Sequence, residues 1–309
     1  MNVLVLGGNG FIGRNIVAQL NKQGAHVLIG TRKVLASNNR MIRMQNMLTM
    51  QDWLPLLRGV DTVVNAVGIL RERRGESYEK IHTLAPAALA QACVKLGVKL
   101  IHISAIGLSL TAKSRFIQSK YLGEQAIINS GADAIIVRPS LLDGEGGYGA
   151  KWFRLVASWP LQLVMRSEGL IAPLQVVDLG EAVAYICMNP NEQFPKLIEL
   201  GGNETFSIPQ YLNWLRASKN LAPATQIAVP KILVRIVSHV FDVLALTPLS
   251  FGHFELMQGY NVPAVNYLPI LLARRPTLTG WQKGAAEQRV KFQLSFVAKQ
   301  VSKQSMIRD

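Results

Sequence analysis

The sequence predicts an α/β fold: a parallel sheet doubly wound by helices, with a smaller, mostly helical C-terminal region. Three observations carry that expectation. Short apolar runs alternate with helical stretches of ten or more residues through the first 140 or so positions, the pattern of strands joined by crossover helices. The first apolar run ends in a glycine cluster, Gly7-Gly8-Asn9-Gly10-Phe11-Ile12-Gly13. Hydrophobic residues make up 49% and charged residues 17% of the 309 residues, which is ample for a buried core.

The elements follow in order. Asn2–Leu6 is continuous and apolar, as expected of a buried parallel strand. Gly13–Gln23 carries Ile16, Val17 and Leu20 on one helical face and stops at Gly24. His26–Gly30 is a second strand, Asp52–Leu57 a short helix and Asp61–Ala66 a further strand. Ala85–Leu96 is a helix stopped at Gly97, and Lys99–Ser104 a strand. Ser114–Asn129 is a helix stopped near Gly131, and Ala134–Val137 a strand ended by Arg138-Pro139. Gly144–Gly149 marks a departure from this core. The expected division is therefore a core over 1–145 and a smaller substrate or partner region over 146–309. Strands near 175–177 and 197–200 are expected to return to the core, with a helix Leu179–Met188 between them. Ile232–Leu249 reads as an amphipathic helix, with Lys231, Arg235, Ser238 and Asp242 opposite its apolar face. Core packing and a membrane or partner surface both remain open for it.

Lys and Arg outnumber Asp and Glu by 33 to 19, a net charge of +14. Both halves of the chain share the excess, so the field favours anionic partners in general. No basic tract points to a specific nucleic acid. Cys93 and Cys187 sit in apolar helical runs and read as reduced core residues, and the five histidines show no ligand spacing, so no metal site is expected. No signal peptide is expected ahead of the first strand, and no uncharged apolar run reaches the roughly 18–20 residues of a membrane span. The expected location is cytoplasmic, with peripheral membrane attachment as an open possibility.

Gly7, Gly10 and Gly13 have the spacing G-x-x-G-x-x-G between a strand and a helix. The first glycine permits the turn. The second lets backbone approach a pyrophosphate, and the third lets the helix pack on the sheet. The N-terminus of the helix that follows offers free N–H groups to phosphate, and Phe11, Ile12 and Arg14 join the glycines as candidate cofactor-binding residues. This predicts a Rossmann-like fold that binds a dinucleotide. An NAD site usually places an acid at the end of the second strand to hold the ribose hydroxyls. Here that place reads Gly30-Thr31-Arg32-Lys33, and no acidic residue occurs before Asp52. A ribose 2′-phosphate suits such surroundings, with Arg32 as its main partner and Arg14 and Lys33 behind it. NADP(H) is expected in preference to NAD(H).

Gly7–Gly13, Asp61 with Asn65-Ala66-Val67-Gly68, Ser119-Lys120 and Arg138-Pro139-Ser140 resemble the extended and atypical short-chain dehydrogenase/reductase superfamily. Gly68–His82, His102–Gly107, Ser119–Glu124 and Val137–Ser140 resemble, more narrowly, an atypical branch. That branch includes the NADPH-binding accessory subunit of respiratory complex I and its bacterial relatives. The resemblance is specific over about 1–145, looser to Gly202 and weak beyond, where Phe254-Glu255-Leu256, Asn261 and Leu271–Pro276 still match. It implies that Asn65, Ala66, Val67 and Gly68 line the cofactor cleft, that Pro139 lies beside the nicotinamide, and that a respiratory complex or a membrane surface is a partner.

Catalytic members of that superfamily use Tyr-x-x-x-Lys, with a nearby hydroxyl to orient the substrate oxygen. Lys120 matches the lysine, but Phe116 stands at the tyrosine position and has no proton to give. Ser104 is the candidate hydroxyl, although relatives often carry it one or two residues later, where Ala105 and Ile106 stand. Two functions follow. One is a nucleotide-binding accessory, assembly or sensor component lacking the usual tyrosine chemistry. The other is an active NADPH-dependent reductase or epimerase/dehydratase-like enzyme on a small carbonyl or sugar-type substrate, with Tyr148, Asp143 or a bound water as the acid.

Overall fold

A computed structural model describes residues 1–32, 37–165, 168–230 and 251–280. Lys33 and the run 232–249 lie outside the described residues.

Seven parallel strands form the central sheet. They are β1 (Asn2–Leu6), β2 (His26–Thr31), β3 (Asn39–Met41), β4 (Thr62–Asn65), β5 (Lys99–Ile103), β6 (Ala134–Pro139) and β11 (Leu197–Leu200), in the order β11-β6-β5-β4-β1-β2-β3. The chain starts in the interior of the sheet and winds outwards in both directions. The turning point lies between β1 and β4, and in such sheets ligands bind outside the carboxyl ends of the strands at that point. This is the doubly wound Rossmann-like fold that the sequence predicts.

The alternation of β1 explains how both faces are covered. Val3 and Val5 face one side, with Ile16 and Leu20 of α1 (Phe11–Lys22) and Leu179 and Val183 of α6 (Val176–Met188). Leu4 and Leu6 face the other, with Trp53 of α2 (Met50–Leu57) and Leu89 of α3 (Ala85–Leu96). Both cysteines are free and buried in these cores, and burial pushes each thiol up to about 12. They behave as small apolar side chains.

Backbone contacts bring the helices unusually close. A Cβ on Gly180 would lie 2.7 Å from Asn15 O, so this glycine lets α6 rest on α1. A π-helical segment, Glu79–Leu84, leads into α3. There a Cβ on Gly123 of α4 (Arg115–Asn129) would lie 1.8 Å from His82 O. Thr83 Oγ1 adds a hydrogen bond to Ser119 O at 2.9 Å.

Two expectations need correction. Gln175–Val177 is not a strand of the main sheet. Only Leu174–Gln175 (β10) is extended, and it pairs with β7 (Leu142–Asp143) in a separate two-stranded sheet, while Val176 already begins α6. The continuous apolar run here belongs to a helix buried against α1, and such a run looks the same in either state. The stretch after Gly144 also holds more strand than expected. Besides α5 (Tyr148–Ser158) and α7 (Ile208–Ala217), β8 (Leu161–Met165) pairs with β13 (Thr225–Val229), and β9 (Leu170–Ile171) with β12 (Phe206–Ser207). The helices α8 (Phe251–Gln258) and α9 (Leu268–Leu272) follow.

Because the Gly123 contact is backbone to backbone, we expect Gly123→Ala to cost about 2–3 kcal/mol and to lower Tm by roughly 5–10 °C. Gly149→Ala, where a Cβ meets open space, serves as the control in thermal unfolding. A Gly123→Ala shift no larger than the control's would contradict the packing.

Candidate functional site

A cleft of about 310 Å³ opens at the carboxyl ends of β1, β2 and β4. Of the residues singled out from sequence, Gly7, Gly10, Thr31, Arg32, Ala66, Val67 and Gly68 line it. Gly7 has φ +74° and donates its N–H to Gly30 O at 2.9 Å, which folds the turn back across β2. Asn9 Nδ2 donates to Thr31 Oγ1 at 3.2 Å and braces the same turn. Gly13 lies beneath, where a Cβ would fall 2.2 Å from Gly7 O. Gly10 caps α1 with no side-chain hydrogen bond, and the first turn holds no acid. The N–H groups at Phe11 and Ile12 therefore present the positive end of the helix without a competing side chain.

Arg14 is not gathered with Arg32. Its Nη2 donates to Glu145 O at 2.5 Å, and its guanidinium lies 5.8 Å from the Phe11 ring centroid. The loop around Gly144–Gly147 packs over Phe11, so Arg14 fixes that loop rather than extending the cleft. Arg32 projects at the cleft mouth and pairs at 3.1 Å with Glu76, which also lines the cleft. Sequence reading missed Glu76, since nothing local connects it with a residue 44 positions earlier.

A second group gathers where β4, β5 and β6 end. Asn65 closes β4; its Oδ1 accepts from Val67 N at 3.1 Å, and its Nδ2 lies 3.1 Å from His102 Nδ1. The amide therefore donates to the imidazole, which keeps its proton on Nε2. Burial, together with the charge of Lys120, pulls the His102 pKa down to about 3. His82 is also held neutral, first by burial and then by Lys120 and His102. Its Nε2 accepts from Ile69 N at 3.1 Å, so Nδ1 carries the proton and donates to Ser119 Oγ at 3.0 Å. Ser119 in turn donates to Phe116 O at 3.0 Å.

Lys120 is half-buried near both imidazoles. Burial lowers its pKa to about 8, partly opposed by Glu124. It does not form a surface pair with Glu124, which is fully buried and held by Arg138 Nε at 3.0 Å. Ser104 follows β5, and its buried Oγ finds no hydrogen-bond partner among the described residues. Phe116 is buried edge-on against His82, 5.5 Å between centroids, and against Tyr78 at 5.8 Å. Pro139 ends β6, and its carbonyl accepts from Ile106 N at 3.2 Å. Ser140 is engaged with Asn261 O at 2.5 Å and Oδ1 at 2.8 Å.

The alternative acids do not converge here. Asp143 accepts from Gly144 N, Arg154 Nη2 and Gly280 N at 2.7–3.0 Å. Tyr148 is exposed at the start of α5.

A turning point at β1–β4, a glycine turn braced beneath an uncapped helix start, and an unpartnered hydroxyl at the end of β5 together define an NAD(P)-binding Rossmann-like protein. The residues present fit such a group: the turn brings Gly7 and Gly10 to the cleft with the Asn9 side chain tied to Thr31, and Ser104 Oγ has no partner among the described residues. A sequence profile of the NAD dependent epimerase/dehydratase family matches residues 3–158, and the chain belongs to that family. Among its relatives is the Arabidopsis thaliana mitochondrial NADH dehydrogenase [ubiquinone] 1 alpha subcomplex subunit 9. It is 27% identical over 66% of this chain and 54% of that one. Ceramide reductase of Caulobacter vibrioides is 24% identical over 61% of each chain. The chain spans only about half to three fifths of the length of the curated relatives it matches. A crystal structure of a Staphylococcus aureus nucleoside-diphosphate-sugar epimerase shares the fold. Its TM-score is 0.70 at 17% identity, covering 90% of this chain and 98% of that one. No helix among the described residues is long and apolar enough to cross a membrane.

With a folded pKa near 8 against 10.5 unfolded, the Lys120 charge opposes folding fully below pH 8, and the penalty fades between pH 8 and 10.5. We expect Lys120→Met to unfold at a higher temperature than the parent at pH 7. That advantage should shrink as pH rises through this window. A pH-independent difference would remove the assignment.

Proposed function

We propose that the protein is an NADP(H)-binding member of its family that lacks the usual tyrosine-dependent chemistry and serves as an accessory, assembly or sensor component. The observation that carries this reading is Phe116, which stands four residues before Lys120 as a buried ring packed on His82 and Tyr78. Residues 1–145 supply the dinucleotide site, and 146–309 the region for a partner. Gly7, Gly10, Phe11, Ile12 and Gly13 hold the pyrophosphate through backbone. Thr31 and Arg32 meet the adenosine ribose and its 2′-phosphate. Asn65, Ala66, Val67 and Gly68 line the passage between the two halves, and Ser104, Lys120 and Pro139 face the nicotinamide. A bound dinucleotide supplies hydride chemistry; in this reading it serves as a fixed part of the structure. The respiratory-subunit relatives favour a respiratory complex or its membrane surface as the partner.

A second reading is an active NADPH-dependent reductase or epimerase-like enzyme. It draws on the retained Lys120, the unpartnered Ser104 hydroxyl and the Caulobacter ceramide reductase relative.

We expect purified protein to bind NADPH more tightly than NADH in fluorescence titration, and Arg32→Gln to weaken NADPH about tenfold. Equal or tighter binding of NADH would sink the preference. Across a panel of carbonyl substrates the parent should show no NADPH oxidation. Turnover that Lys120→Ala abolishes would replace the first reading with the second.

A further inference from the structure

We propose that Glu76 is a specificity-determining residue of the cleft: the resident counter-ion of Arg32, occupying the place that a ribose 2′-phosphate would take. The inference rests on reading the cleft as a dinucleotide site. The carboxylate Oε1 lies 3.1 Å from Arg32 Nη1, and both residues line the cleft. The two partners are unequally exposed. The Arg32 side chain is 71% exposed and that of Glu76 only 15%, so the acid is the buried half of the pair and the base the solvent-facing half.

The backbone explains how the acid is held. Glu76 N donates to Arg73 O at 2.9 Å and Arg73 N to Glu76 O at 3.0 Å, closing a hairpin around Gly75, whose φ is +86°. The hairpin is anchored at both ends. Glu72 Oε2 accepts from Arg115 Nη1 of α4 at 3.0 Å, and Glu72 Oε1 from Tyr78 N at 2.9 Å. Tyr78 stacks on His82 in the π-helical segment. The carboxylate is thus presented to the cleft by a tied turn.

Its chemistry opposes that of Arg32. A phosphate monoester carries between one and two negative charges at neutral pH. To reach the Arg32 guanidinium it must displace Glu76 or bind against it. An unphosphorylated ribose meets no such conflict, because its hydroxyls can donate to the carboxylate. That is the role usually taken by an acid at the end of the second strand, which is missing from Gly30-Thr31-Arg32. Arg32 draws the site towards NADP(H), and Glu76 draws it back towards NAD(H).

The test is a titration of the parent chain, Glu76→Gln and Glu76→Ala with NADPH, NADH, 2′,5′-ADP and 5′-AMP. The ratio of NADH to NADPH dissociation constants should rise on the order of tenfold in both variants. The ratio for 5′-AMP over 2′,5′-ADP should move in parallel. Glu79→Gln, an exposed acid in the same stretch, removes an equal charge and should move neither ratio by more than about twofold. Unmoved or falling ratios in both Glu76 variants, with a parent that binds NADPH, would overturn this inference and leave the dinucleotide site standing. A Glu79→Gln effect as large as that of Glu76→Gln would also overturn it, since net charge would then be the cause. A parent that binds neither dinucleotide at millimolar concentration would remove the site and this inference together.

Discussion

The arrangement of polar groups beyond the ends of β4, β5 and β6 depends on one contact between two backbones, where α4 meets the π-helical segment at Gly123. A helix can approach another chain this closely only where no Cβ intervenes. Everything polar at that end follows from the resulting register. The approach sets Ser119 against His82, and Thr83 against the Ser119 carbonyl. One turn away it leaves Lys120 near two imidazoles whose protons are already assigned. The wider π turn also matters, because it leads the chain from the β4 loop into α3 while keeping His82 directed at α4. Such segments often accompany functional sites, and here the segment joins the crossover that follows β4 to the helix that carries Lys120.

In the cleft at the ends of β1, β2 and β4 the constraint is also close approach, this time within the glycine turn. Gly13 has no room for a side chain beneath Gly7, so α1 begins directly under the strand end and directs its uncapped N–H groups along the cleft. Arg14 does not line the cleft, and the Glu145 carbonyl takes its Nη2. Among the described residues lining the cleft, the positive charge is that of Arg32, balanced by Glu76. Binding potential and restraint come from different parts of the chain, a helix start and a strand end on one side and a tied hairpin on the other.

The sheet was legible in the sequence because parallel strands buried on both faces read as apolar runs, and the helices between them end in glycines. What escaped notice has physical reasons. β3 is three residues long, Asn39-Arg40-Met41, at the sheet edge, with too little apolar content to announce itself. Val176–Val177 opens a buried helix and looks no different from a strand. The glycine turn could be placed residue by residue because its chemistry is local. Pairings across the fold could not: Arg32 with Glu76 and Asn65 with His102 join residues 44 and 37 positions apart. The Arg14 contact was hidden for the same reason, since its partner lies 131 positions away.

Phe116 is better understood as part of a settled arrangement than as one lesion in an otherwise complete enzyme site. A tyrosine lost by a single substitution would leave polar neighbours that had lost its hydroxyl. His82 does not fit that description, because both of its ring nitrogens are satisfied by Ile69 and Ser119. Ser119 donates its own hydroxyl hydrogen bond to the Phe116 carbonyl. The Phe116 ring meets the edges and faces of His82 and Tyr78, contacts suited to an aromatic without a polar tip. Among the described residues, the buried hydroxyl without a partner beyond the carboxyl ends of the strands is instead that of Ser104, after β5. A buried hydroxyl in that state is costly unless something binds it, so the unmet demand at this end is for a hydrogen-bonding ligand and not for a proton donor at position 116.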